Sequence, residues 1–230
     1  MSDDKKSKTP KDTHYANLRR RNGHAEPYRV KYWALGNEVY GSWQVGQMTK
    51  ERYAEEAAQW AKAIRLLDPD ACLVLCGETG LSGWDAHVLA ECAHAVDMHS
   101  IHMYTSGGAD DHVANAVAPR AAERAIRTAA ALADVARVER AIRDGAAHRD
   151  DKEWPPPAPK ICFDEWNVWD MDGAPGVDGA EQTYTLSDAL AVGAWLNVLV
   201  RQSRWLGMAN IAQSVNVISP LRTSTKGLVR

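Results

Sequence analysis

Two glutamates stand at the ends of short apolar runs, where a carboxylate can do chemistry. Glu38 closes Val30-Lys31-Tyr32-Trp33-Ala34-Leu35-Gly36-Asn37-Glu38 and is followed by Gly41-Ser42-Trp43-Gln44. Glu165 closes the run from Lys160 and is followed by Trp166-Asn167-Val168-Trp169. Two converging carboxyl groups are what glycosidic bond cleavage asks for. One protonates the leaving oxygen, and the other attacks or stabilises the anomeric carbon. A single glutamate at a strand end more often forms an ion pair or a cap. The pair, in these contexts, carries the reading.

Several elements must position them. Val30 to Asn37 reads as a strand. Thr49 caps a helix in which Tyr53, Ala57, Trp60, Ile64 and Leu67 recur at helical spacing until Asp68-Pro69. Cys72 to Cys76 is a second strand, Asp85 to His94 a short helix, and Val96 to Tyr104 a third strand. Ala114 to Gly145 is Ala- and Arg-rich and helical, with Pro119 in its first turn. Asp150 to Pro159 is an extended loop. Lys160 to Glu165, Ser187 to Gln202 and Asn210 to Ile218 follow as strand, helix and strand. This alternation predicts an α/β fold with a parallel sheet and right-handed crossovers. Five strands fall short of the eight that close a (β/α) barrel. The catalytic ends of such strands lie on one face, so Glu38 and Glu165 are expected to share it.

Composition narrows the function classes. A net charge of -3 over 230 residues provides no electrostatic footprint for nucleic acid or an anionic membrane, and Arg19-Arg20-Arg21 reads as a solvated face. Cys72 and Cys76 lie about 13 Å apart in an extended strand, too far to bridge. No CxxC or CxxH pair suggests zinc, so the four cysteines read as buried thiols without a metal. Met1 to Asp12 lacks an apolar core for a signal peptide, and no run of apolar residues is long enough to span a bilayer. The expectation is a soluble, cytoplasmic protein. Residues 1–29 read as a polar tail and loop, and 30–230 as the catalytic domain.

With these motifs in view, the chain resembles glycoside hydrolase family fifty-one, the α-L-arabinofuranosidases. The segment around Glu38 resembles the family's acid/base segment, and Asp164-Glu165-Trp166-Asn167-Val168-Trp169 its nucleophile segment. Ser100-Ile101-His102-Met103-Tyr104 and Ala212-Gln213-Ser214-Val215-Asn216-Val217-Ile218 resemble two further strand motifs, in the family's order. The resemblance implies a retaining hydrolase of terminal α-L-arabinofuranosyl groups, needing no cofactor. Glu38 would be the general acid/base, Asn37 a partner of the sugar 2-hydroxyl, and Glu165 the nucleophile, oriented by Tyr104. Trp169 and Gln213 would line the furanose subsite. His102 is read as a substrate contact, a carboxylate-orienting group or a satisfied buried imidazole. Trp43 is read as an aglycone wall or as packing under its loop. Asp164 is expected to alternate away from Glu165 along the strand and to make a structural hydrogen bond. Ionised Glu165 is expected to raise the proton affinity of Glu38.

Mapped onto the family, the five strands are the fourth to the eighth of a partial (β/α)8 TIM barrel, with a C-terminal β-sandwich absent. Edge strands would then lack neighbours, so marginal stability, aggregation or partner dependence is expected. Family members often assemble as oligomers, so self-association to a homo-oligomer is admitted. The rival reading is a silent fragment that at most binds sugar or a partner subunit. A xylosidase or endoglycanase is a third reading, which Gly41-Ser42-Trp43-Gln44 and Gln213 argue against.

Overall fold

The computed structural model describes residues 13–107, 111–145, 157–170 and 184–229. Most of the expected 150–159 loop lies outside them. Five strands form one parallel sheet in sequential order: β1 (Tyr32–Ala34), β2 (Cys72–Leu75), β3 (Met98–Thr105), β4 (Lys160–Val168) and β5 (Leu206–Ile211). Helices α2 (Lys50–Leu67), α3 (Gly83–Cys92), α4 (His112–Val117), α5 (Arg120–Arg143) and α6 (Leu186–Arg201) connect them, after an N-terminal α1 (His14–Arg21). The sheet curls into part of a (β/α) barrel, as the alternation predicts.

The period-2 pattern of each strand sorts its side chains between two faces. Leu73 and Leu75 of β2 pack with Tyr53, Ala57, Trp84, Val88 and Leu89 from the helices. Ile101 of β3, with Ile161 and Phe163 of β4, packs against Ile126 and Trp195. On the side away from the helices, Val74, Met98 and Cys162 cluster with Cys72 and Met208. All four cysteines are free thiols.

Thr49 caps α2 by accepting from Arg52 N, and Tyr53 on its first turn reaches across the core. The Tyr53 hydroxyl donates to Leu35 O at 2.9 Å and accepts from Cys76 N at 2.7 Å. It thereby clips the end of β1, just before Glu38, to the end of β2.

Four elements depart from the sequence reading. Residues 14–21, expected as tail and loop, are helical, because Thr13 supplies an N-cap. The predicted 114–145 helix is two helices, since Pro119 ends α4 and begins α5. Strand β4 continues past Glu165 to Val168. The last strand is 206–211 rather than 210–218, and Ala212 to Ile218 forms an irregular loop that ends near an antiparallel hairpin of β6 (Arg222–Ser224) and β7 (Gly227–Val229).

Among the described residues, β1 and β5 are the sheet's edges, each with one side that no strand pairs. Tyr32 and Trp33 on β1 are each 46% exposed, and Leu186, Leu190, Leu196 and Val200 make an exposed apolar stripe on α6. Such edges recruit further strands. Light scattering on purified chain should report masses above the 25.3 kDa of one copy. A monodisperse monomer with a cooperative melt would contradict this.

Candidate active site

Glu38 sits just beyond β1, at φ +47°, in the left-handed region that non-glycine residues rarely adopt. The following turn folds Trp43 back over Gly41, where a Cβ would come within 2.5 Å of the indole ring. A side chain at 41 would push the indole off this position. So placed, Trp43 Nε1 donates to Glu38 Oε2 at 3.1 Å. Its ring is 68% exposed, which excludes the reading of Trp43 as packing beneath the loop.

From β3, the residues on the helix-free face are Met98, Ser100, His102 and Tyr104. The Tyr104 hydroxyl donates to Glu165 Oε1 at 2.5 Å. His102 is buried, with Nδ1 2.9 Å from Glu38 Oε1 and 3.4 Å from Glu165 Oε2. Of its three readings, the carboxylate-orienting one matches this geometry. Glu38, His102 and Glu165 each offer an atom within 4.8 Å of the others. That spacing would suit a cation, but His102 Nδ1 faces two carboxylates and is committed as a donor.

Asp164 is the main correction. The pairing of β3 with β4 shifts register between Ser100 and His102, so Ser100 faces Cys162 while His102 faces Glu165. The extra residue in β4 turns two consecutive side chains the same way, as a β-bulge does. Asp164 therefore joins Glu165 instead of alternating away from it. Its Oδ1 accepts from Ser100 Oγ at 2.6 Å and lies 3.3 Å from His102 Nε2.

Electrostatics also differ from the sequence expectation. Glu38 is held below the usual carboxylate range, chiefly by its hydrogen bond from His102, against the opposing effect of burial. The anticipated rise caused by Glu165 is not found, because an imidazole stands between the two acids. Burial alone would lower His102, but hydrogen bonds to Asp164 and Glu38 and the nearby negative charges push it up to about 9. Burial, then the hydrogen bond to Glu165, raises Tyr104 and keeps it a donor.

An unperturbed imidazole titrates at 6.5, so between there and about 9 the folded chain holds a proton the unfolded chain has released. Stability is full below that window and falls as pH rises through it. Urea unfolding should show a loss on the order of 2–3 kcal/mol between pH 6 and pH 9. Glu38 acts at the other end, where its contribution disappears as pH falls below 4.5.

The remaining anticipated residues are placed less tightly. Asn37 and Gln213 are exposed, and among the described residues no hydrogen bond joins either side chain to the acids. Gln213 follows a cis peptide after Ala212, and its backbone N–H donates to Ile218 O. Trp169 meets the Tyr104 ring edge-on at 5.0 Å, and its buried indole N–H has no partner among the described residues.

A sequence profile described as the α-L-arabinofuranosidase 1 domain matches residues 7–118, and one described as the α-L-arabinofuranosidase C-terminal domain matches 164–230. The chain belongs to the α-L-arabinofuranosidase family. It is 56% identical to a probable α-L-arabinofuranosidase C of Aspergillus fumigatus, over 96% of this chain and 44% of the relative. An intracellular exo-α-(1→5)-L-arabinofuranosidase of Halalkalibacterium halodurans is 34% identical, over 95% and 44%. The arabinose complex of a Thermotoga maritima α-L-arabinofuranosidase superposes with TM-score 0.78 at 33% identity, over 95% of this chain and 41% of that one. A family 51 α-L-arabinofuranosidase of Bifidobacterium longum gives 0.79 at 28%, over 95% and 45%. This arabinofuranosidase-family chain thus spans less than half the length of its relatives.

Sequence reasoning missed Ser100 and Asp164 as site residues. The signal for Ser100 was its period-2 relation to His102 and Tyr104. Nothing local marked the bulge that brings Asp164 in.

Proposed function

We propose that this chain carries the acid/base and nucleophile of a retaining hydrolase that removes terminal α-L-arabinofuranosyl groups from arabinose-containing carbohydrates. The observation that carries the reading is the spacing of Glu38 and Glu165, which bring carboxylate oxygens within 4.8 Å of each other. Retaining glycosidases hold their carboxyl groups about 5–5.5 Å apart, and inverting enzymes, which need room for a water, roughly 6.5–9.5 Å.

Glu165 attacks the anomeric carbon, with Tyr104 fixing one of its oxygens. Glu38 faces the leaving oxygen and must deliver a proton. Its own affinity is low in the resting site, so that proton belongs to the Glu38–His102 pair, which titrates as a unit. Movement of the Nδ1 proton along the 2.9 Å hydrogen bond leaves neutral Glu38 as the acid and neutral His102 beside it. Once Glu165 is glycosylated its charge is gone, and Glu38 takes the proton of the incoming water. The exposed face of Trp43 suits an aglycone wall, while the Trp169 N–H, without a partner among the described residues, suits a sugar hydroxyl. Asn37 and Gln213 are read as further sugar partners, and residues 30–230 as the catalytic domain. The bacterial relative's description as intracellular supports a cytoplasmic site of action.

Hydrolysis of p-nitrophenyl α-L-arabinofuranoside, with proton NMR of the first-formed sugar, tests this. Product of retained configuration is expected. Inverted product would exclude the double displacement. Complete inactivity of folded chain would favour the silent, sugar-binding alternative, which the open edges at β1 and β5 support.

A further inference from the structure

Both nitrogens of His102 face acceptors. On the Nδ1 side stand Glu38 Oε1 and Glu165 Oε2, at 2.9 and 3.4 Å. On the Nε2 side stand Ser100 Oγ at 3.2 Å and Asp164 Oδ1 at 3.3 Å. The Ser100 hydroxyl has a single proton, which it donates to Asp164 at 2.6 Å. It can therefore offer the imidazole only a lone pair. Neither tautomer of a neutral ring satisfies this arrangement, since one nitrogen lone pair would always confront oxygen lone pairs. The arrangement asks for protons on both nitrogens.

We propose that Asp164, aligned by Ser100, is a positioning residue that keeps His102 doubly protonated between the two catalytic carboxylates. The acid-rich environment is built by the fold. The bulge in β4 turns Asp164 toward the same space as Glu165, and the ring stays buried while all three carboxylates are partly exposed. Without the fixed charge of Asp164 behind the ring, His102 would keep its second proton only through Glu38 and Glu165. Those two must change charge during turnover. Asp164 touches no reacting atom. It acts by holding the Nε2 proton and drawing the Nδ1 proton back from Glu38 after each transfer, so that the resting ring is recharged for the next turnover.

The groups facing His102 are few. Glu38 comes from the turn after β1, Ser100 and Tyr104 from β3, and Asp164 and Glu165 from β4. Glu78, after β2, accepts from the His102 backbone N–H with its carbonyl oxygen at 2.8 Å, which fixes the main chain rather than the ring. The Cys162 thiol faces Asp164 and is raised by burial and by that carboxylate, so it stays neutral alongside. None of these is a cation that could replace the imidazolium.

The consequence for turnover rests on the proposed roles of Glu38 and Glu165, but the charge state of the ring does not. Imidazole NMR titration of the full chain reads that state directly. In the unsubstituted protein, His102 should hold both protons at pH 7. In Asp164→Asn its titration should move down by at least one pH unit, a tenfold loss of proton affinity, and the alkaline limb of kcat should move with it. Asp164→Glu, which restores the charge, should recover part of the shift. Ser100→Ala leaves every carboxylate in place and serves where Asp164→Asn fails to fold. It should move the titration in the same direction by less. A neutral His102 at pH 7 in the unsubstituted chain, or an unmoved titration in folded variants, overturns the proposal. Absence of hydrolysis with the expected titrations would instead remove the hydrolase reading and leave the positioning role standing.

Discussion

Glu165→Ala is expected to lower turnover of p-nitrophenyl α-L-arabinofuranoside on the order of ten-thousandfold or more, the scale seen when a covalent nucleophile is removed. The space vacated lies between Tyr104, which donates to Glu165 Oε1, and His102, 3.4 Å from Oε2. A small anion such as azide fits that position electrostatically, because the imidazolium that faced Glu165 remains. Added azide should then restore turnover and yield a glycosyl azide of inverted configuration, since only one displacement occurs. Glu38→Ala should behave differently. A p-nitrophenolate leaving group needs little protonation, so the first step survives while the second loses its base, at a cost of roughly 10²–10⁴-fold. Azide should then intercept the intermediate on Glu165 and give the retained product. Opposite configurations from the two variants would assign the two roles independently of any rate. The same configuration from both would refute the division of labour between residues 38 and 165.

What the sequence disclosed depended on how local each signal was. The two strand-end glutamates and Tyr104 were visible because each lies in a compact motif, and a parallel sheet puts the ends of β1, β3 and β4 on one face. The path from Thr49 through α2 was visible because its cap and apolar period are both local. Asp164 was misread because period 2 holds only while both strands keep step. The slip between Ser100 and His102 depends on how β3 and β4 pack against their neighbours, which is not written in either strand alone. The lowered proton affinity of Glu38 was misread for a related reason. Charge logic with two acids predicts mutual repulsion, and the bridging imidazole becomes apparent only when His102 is placed between them. The end of β5 was displaced because Gln213 to Ile218 has strand-like composition but closes a turn on itself, with Gln213 N–H donating to Ile218 O.

A second buried cluster, outside the carboxylate pair, should have the largest effect on stability. Asp85 and His99 are both fully buried, and His99 Nε2 donates to Asp85 Oδ1 at 2.9 Å. The same carboxylate accepts from Glu78 N, Gly80 N, Ser82 N and Ser82 Oγ, so one side chain organises the whole turn between β2 and α3. Burial opposes its charge, but the His99 hydrogen bond and these donors outweigh that and hold it below the usual range. Gly77 completes the fit, because a Cβ there would lie 2.0 Å from Ser100 O and 2.6 Å from His99 Nε2. Asp85→Ala strands the imidazole and several backbone donors in a fully buried part of the core. Breaking a buried pair costs about 3–5 kcal/mol, a large share of a total stability of roughly 5–15 kcal/mol. Loss of cooperative urea unfolding, or an unfolding free energy lowered by that amount, is the expected circular dichroism result. Asp144→Ala is the control: it cuts the exposed pair with Arg140 at 2.7 Å and should cost at most about 0.5 kcal/mol. The loss should also reach the active site, because the turn that Asp85 holds presents Glu78 O to the His102 backbone N–H. If Asp85→Ala melts like the Asp144→Ala control, the turn is held by packing alone, and the buried carboxylate is not what fixes the floor beneath His102.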